Sequence, residues 1–409
     1  MASLAQRAAE GDPRVHAELR GGGPDGLRAL LARYDATPAS EVLARTNLQR
    51  AIDAVAKQRD AHVSRLYWYT DLNEAMGAAR RQGRPILALR MLGNLDEELS
   101  CANSRFFRTA LYANRELSAY LREHFVLVWQ SERPAPVITI DFRDGRKVVR
   151  TITGNSIHYV LDVQGRPVDA LPGLYGPGAF RRGLENAESL ARRVGSFEES
   201  AWRQAMETHH RAALQALVSD WAPTLRRASL PEMPFPGDAS ASGALVGNDQ
   251  VLPPAYMAMP VAPSKAAVET PPLRAIERGT PPRDPVPWRH IGRAFAEDAQ
   301  LDASSVELLR AKRPRNWADA QRPGAPLDAR GVAGLIAEFE ANMAEDTAKN
   351  EFSLHATLHR WFAEAPYDLN ELDKRVYSTL FYTPASDPWL GLVPPNAYTG
   401  IQDDGIEAR

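Results

Sequence analysis

Two groups of side chains in this 409-residue chain have the types and spacing for chemistry. The first is Cys101, the only cysteine, within Ser100-Cys101-Ala102-Asn103-Ser104. A thiol at a helix start faces unpaired backbone N–H groups and the positive end of the helix dipole. Both favour the thiolate, the form that attacks disulfides. Arg105 and Arg108 add to that field, whereas Asp96, Glu97 and Glu98 oppose it by like-charge repulsion. The second group is Asp346, Glu351, His355 and His359. His355 and His359 are four residues apart and Glu351 precedes His355 by another four, so the three share one helix face. That spacing suits a divalent metal or a haem iron, with His355, His359 and Glu351 as the metal ligands. Ala356 and Thr357 fill the middle of the pair, so the base of a His-Glu-x-x-His zinc hydrolase is missing. Each group also has a plainer reading: Cys101 as a small buried apolar side chain, and the histidines as polar contacts near an interface. His209-His210 lies in a polar stretch and is expected to be exposed.

The cysteine is positioned by the runs on either side of it. Pro85-Ile86-Leu87-Ala88-Leu89 reads as a strand that leads through a polar loop into Cys101. A helical pattern with Leu111, Leu117, Tyr120 and Leu121 follows, and Phe125 to Trp129 reads as another strand. Upstream, Tyr67-Trp68-Tyr69 is strand-like. Thr70 or Asp71 with Glu74 signals a helix start, and Gly83 signals its end. Downstream, 137–142 and 147–152 form a hairpin around Asp144-Gly145, and 157–161 is a further strand. Apolar runs separated by helices suit a sheet covered on both faces.

The fold class is therefore α/β. A helical N-terminal segment spans 1–66 and an α/β domain 67–184; a long helical region covers 185–228. A proline-rich linker or surface arm covers 229–287 (with Pro253-Pro254, Pro271-Pro272 and Pro281-Pro282), and a mainly helical C-terminal region covers 288–409. Leu27, Leu30, Leu31 and Tyr34, and then Leu43, Leu48, Ile52 and Val55, are the apolar stripes of the first segment. Val332, Leu335, Ile336, Phe339 and Met343 begin those of the last. Leu354, Leu358, Trp361 and Phe362 continue them, as do Leu369, Leu372, Val376, Leu380 and Phe381. Arg181, Arg182, Glu185, Glu188, Arg192 and Arg193 form an expected solvated face. Trp317, Trp361 and Trp389 are expected packing anchors, and the apolar tail from Asp387 to Pro395 is expected to dock on a groove.

A formal net charge of −2 gives no electrostatic case for nucleic acid or an anionic membrane as partner. One cysteine permits no internal disulfide, and no run reaches the ~18 apolar residues of a membrane span, so a cytoplasmic location is expected.

Residues 68–184 resemble a thioredoxin-superfamily domain. The resemblance rests on Glu74-Ala75-Met76-Gly77-Ala78-Ala79-Arg80-Arg81-Gln82-Gly83-Arg84-Pro85-Ile86, on Cys101-Ala102-Asn103-Ser104 and on Phe106-Phe107. Leu121-Arg122-Glu123-His124-Phe125-Val126 and Glu132-Arg133-Pro134 complete it. It implies a cysteine at a helix start after a strand, facing the beginning of a later strand matched here by Gly154-Asn155-Ser156-Ile157. Ser104 stands in place of the second cysteine of a Cys-x-x-Cys motif, so the resemblance implies no dithiol turnover. Ser156 stands where the family carries a cis-proline. A cis bond before a non-proline residue costs ~2.5–4 kcal/mol, so a trans bond is expected there.

Three functions follow. In the first, Cys101 is a lone nucleophile, Ser104 hydrogen-bonds its sulfur, and Asn155 and Ser156 line the substrate groove. An external thiol such as glutathione is the co-reactant, with no bound cofactor. In the second, the domain is a non-catalytic scaffold for a protein partner. In the third, His355 and His359 hold a metal or haem.

Overall fold

The computed structural model describes residues 1–152, 154–238, 262, 264–265, 285–312, 329–365, 367–390, 392–393 and 400–406. Most of the proline-rich stretch, with its three Pro-Pro pairs, lies outside the described residues, as do Trp317 and Pro394-Pro395.

Five helices open the chain: α1 (Ala2–Ala9), α2 (Val15–Gly21), α3 (Pro24–Ala36), α4 (Val42–Ala56) and α5 (Ala61–Ser64). They enclose a small core of their own in which Leu19, Leu27, Leu30, Leu48, Ile52 and Val55 are buried. Each such side chain contributes roughly 1.5–3 kcal/mol when fully withdrawn from water. Leu43 is not part of this stripe. It sits in the first turn of α4, on the side away from the bundle, and is 74% exposed. Gly26 sets the approach of α2 to α3, because a Cβ there would lie 1.9 Å from the Leu19 carbonyl oxygen.

A mixed α/β unit follows. It contains β1 (Trp68–Tyr69), α6 (Leu72–Gln82), β2 (Ile86–Leu92) and α7 (Ala102–Phe106), then a π-helical turn (Phe107–Leu111), α8 (Arg115–His124) and β3 (Val126–Arg133). The strands β4 (Val137–Asp141), β5 (Lys147–Thr151), β6 (Ile157–Leu161) and β7 (Pro167–Pro172) complete it. The caps of α6 are local: Asp71 Oδ1 accepts from the Glu74 amide at 2.9 Å, and Gly83 takes the left-handed conformation at φ 61°. The five-stranded sheet has the order β1-β3-β2-β6-β7. β1 and β2 run parallel to β3, β6 runs antiparallel to β2, and β7 antiparallel to β6. Its middle strand β2 buries Ile86, Leu87, Ala88, Leu89, Met91 and Leu92. Among the described residues β4 and β5 pair only with each other, as a separate hairpin, with Val137, Ile140 and Phe142 exposed.

β7 has no counterpart in the expected strands. Pro167 and Pro172 bound it, and among the described residues it pairs through one edge only, the position in a sheet where prolines are tolerated. The expected long helical region is two helices, α9 (Pro177–Val194) and α10 (Glu199–Arg227), with a break at Gly195. Glu188 on α9 is buried, a correction to the solvated face. Its carboxylate accepts from Tyr120 Oη at 2.6 Å, from His124 Nδ1 at 2.9 Å and from Arg192 Nε at 2.7 Å.

The C-terminal region consists of α11 (Trp288–Ile291), α12 (Ala303–Ala311), α13 (Ala329–Lys349), a π-helical turn (Asn350–His355), α14 (Ala356–Glu364) and α15 (Leu369–Arg375). A further π turn, Val376–Leu380, follows, and a short 3-10 turn lies at Gln402–Gly405. Met343, Leu354, Leu358, Phe362, Leu372, Val376, Phe381 and Leu390 join the same apolar cluster as β2, β3 and β6, so this region closes directly over the sheet. Leu335 and Trp389 are corrections, since half-exposure removes both from the core. No described helix is long and apolar enough to cross a membrane.

Candidate functional site

The backbone delivers Cys101 to the end of the sheet. After β2, Gly93 turns the chain at φ 74°, and the loop returns so that the Cys101 amide donates to the Leu92 carbonyl at 3.2 Å. Cys101 then becomes the N-cap of α7. It is fully buried, with Sγ 3.0 Å from Ser156 Oγ. Ser104 does not reach the sulfur. Its hydroxyl donates to the Cys101 carbonyl oxygen at 2.8 Å and contacts Ser100 Oγ at 2.7 Å, because a serine three residues into a helix bonds back along its own turn. The partner of the thiol is thus Ser156, across the groove.

Asn155 and Ser156 are both brought to the cysteine and both are buried. Among the described residues there is no cis peptide bond, so the bond before Ser156 is trans. The outer side of this groove is covered by the C-terminal half. Tyr377 Oη donates to the Asn155 carbonyl at 3.1 Å, and Lys265 Nζ donates to Asn155 Oδ1 at 3.4 Å. The charges flanking the cysteine in sequence point elsewhere. Asp96 pairs with Lys57 and Glu98 with Arg59 and Lys312, while Glu97 accepts from Asn94. Arg105 donates to Thr151 Oγ1, and buried Arg108 donates to the carbonyls of Glu97 and Glu98.

The second group assembles differently from its expected form. Asp346 is remote from the histidines and accepts from the Ser264 amide at 3.1 and 3.3 Å. Its place is taken by Asp169 of β7, whose Oδ1 meets His355 Nε2 at 2.9 Å and also accepts from the Ala170 amide at 2.8 Å. Asp169, His355 and His359 are all buried, with donor atoms within 4.8 Å of one another. The imidazoles of His355 and His359 pack at a tilt of 33°, with centroids 4.1 Å apart. Glu351 is not among these donors. Its Oε2 lies 3.8 Å behind the other nitrogen, His355 Nδ1.

His210 corrects the expectation of an exposed pair. It is fully buried where α10 packs on α14, with Nδ1 2.8 Å from His359 Nδ1 and Nε2 3.0 Å from the Val168 carbonyl. Burial pushes His210 down to about 4 and His359 well below the ordinary histidine value, so both rings are neutral near pH 7. Burial acts the same way on His355, but the Asp169 carboxylate reverses the sign and holds it up at about 10. Asp169, which burial alone would raise, is held well below the usual carboxylate range by His355. One side of the cluster opens on a cavity of about 560 Å³ that Asp169, His209, Glu351, His355 and His359 help to line.

Helical spacing brought His355 and His359 together in the sequence reading. Asp169 and His210 carried no such signal, because each meets the histidines across more than a hundred residues of chain. Comparison of the chain with known protein families, with curated proteins and with solved structures finds no match.

Proposed function

We propose that this chain is a thioredoxin-like protein whose cysteine has been taken into the core, and that it works by non-covalent association instead of disulfide exchange. The order strand, loop, cysteine at a helix start, helix, strand over β2 to β3 supports the thioredoxin-like part of this reading. The observation that carries the rest is the enclosure of Cys101, which has no exposed surface and whose Sγ is engaged by Ser156 beneath the Tyr377 and Lys265 contacts. Thiol–disulfide exchange needs access of one sulfur to another, and that access is missing here. The projecting β4–β5 hairpin, with Val137, Ile140 and Phe142 exposed, supports association with a protein partner.

A second reading is monothiol exchange with an external thiol such as glutathione once the cover lifts. It is favoured by the position of Cys101 at the N-cap of α7, with the Ser156 hydroxyl on its sulfur. Alkylation separates the two. Native protein treated with iodoacetamide is expected to stay unmodified over a period in which the denatured chain reacts completely. Cys101→Ser is expected to rescue a deletion phenotype in full. Prompt native alkylation together with failed rescue would overturn the association reading and support exchange.

A further inference from the structure

We infer that Asp169, His355 and His359 form a site for one divalent transition-metal ion, with a coordination position open to the adjoining cavity. Two imidazoles and one carboxylate, without sulfur, form a donor set for ions of the Zn²⁺, Fe²⁺ and Co²⁺ class; Ca²⁺ and Mg²⁺ prefer oxygen alone. Ligand atoms around a tetrahedral ion at ~2.0–2.1 Å sit about 3.4 Å apart. Donors already within 4.8 Å therefore need to close by at most about 1.4 Å.

The hydrogen-bond network fixes which nitrogen of His359 is available. The Val168 carbonyl can only accept, so His210 Nε2 carries a hydrogen and donates to it. With its hydrogen on Nε2, the buried His210 ring presents the lone pair of Nδ1, which accepts from His359 Nδ1–H at 2.8 Å. His359 Nε2 is left as a lone pair, the state in which histidine binds a metal. A bond from the second ring N–H to an inner partner is the usual support of a metal-bound histidine.

His355 has the complementary arrangement. Its Nε2 faces Asp169, while Nδ1 is buried with no hydrogen-bond partner among the described residues, 3.8 Å from Glu351 Oε2. Glu351 is therefore a positioning residue, the outer carboxylate of a carboxylate–histidine–metal series. An Asp169–His355 ion pair alone would account for two of the three groups. It gives no reason for a second imidazole packed against the pair and oriented by its own relay. In the site as inferred, the ion takes the place of the proton shared by His355 Nε2 and Asp169 Oδ1. Three protein ligands with an open side is the arrangement of an ion that also binds water or a small oxygen ligand.

Calorimetric titration of chelator-treated full-length protein with Zn²⁺, and absorption of the Co²⁺-loaded protein, test the inference. One equivalent is expected to bind and to raise the melting temperature. His359→Gln and Asp169→Asn are expected to abolish binding, and His210→Ala to weaken it about 10–100-fold. Circular dichroism of the metal-free variants shows whether they fold. X-ray absorption of the Zn²⁺-loaded wild type needs no variant and is expected to show two imidazoles with oxygen in the first shell. No binding by wild type, wild-type affinity in folded His359→Gln, or a first shell without imidazole would each overturn the inference.

Discussion

Burial holds the Asp346 carboxyl up at about 8, against the opposing pull of the Ser264 amide and of Lys349. In the unfolded chain such a group titrates near ~3.9, so between these two values the folded state keeps a proton that the unfolded state has released. Its stabilising effect is full below about pH 4 and is lost as pH rises toward about 8. Asp53, raised to about 7 by burial, and Asp373, raised to about 8 by burial and then by Glu132, act in the same direction. The melting temperature of the wild type is therefore expected to fall as pH rises from about 4 to about 8, and Asp346→Asn to flatten that slope. An identical slope in the variant would count against a protonated Asp346 in the fold. The same residue shows the limit of nearness in sequence: Asp346, five residues before Glu351 and off its i, i+4 face, accepts from the Ser264 amide, whereas Asp169, far away in the chain, serves the histidines.

Among the elements, α2 and α3 are held at a distance that only glycine permits. Gly26→Ala places a methyl group against the Leu19 carbonyl and is expected to destabilise the N-terminal bundle by about 3 kcal/mol. A denaturation midpoint within error of wild type would show that the two helices can separate without cost. Elements whose determinants are local were legible beforehand. The α6 helix announces itself through Asp71 and Gly83, and the β4–β5 hairpin through Asp144-Gly145. β2 and β3 declare themselves by apolar runs. β7 does not, because Pro167, Asp169 and Pro172 are poor strand formers that an edge position tolerates. The polar neighbours of His210 concealed it for a related reason: α14, packed on the opposite side, determines its burial. The helix start at Cys101 is legible from its own neighbours, but the enclosure of its sulfur depends on Tyr377 and Lys265, far along the chain.

At the scale of the whole molecule, the C-terminal half is fastened over the sheet by Arg133. Its guanidinium donates to the carbonyl oxygens of Asp387 at 2.8 Å and of Thr383 and Pro384 at 3.2 Å. Arg133→Ala is expected to cost about 2 kcal/mol and to speed alkylation of Cys101, because the segment after α15 loses its anchor. Unchanged alkylation with lowered stability would mean that the cover is held elsewhere. The division of the core has a consequence for synthesis on the ribosome. The bundle α1 to α5 has a complete core of its own and can form as soon as it emerges. The sheet cannot, because Leu354, Phe362, Phe381 and Leu390 belong to its core. At ~5–20 residues per second, the sheet waits roughly 10–45 s after β7 is made for its last core residue. During that interval its unfinished apolar surface is open to chaperones and to other nascent chains.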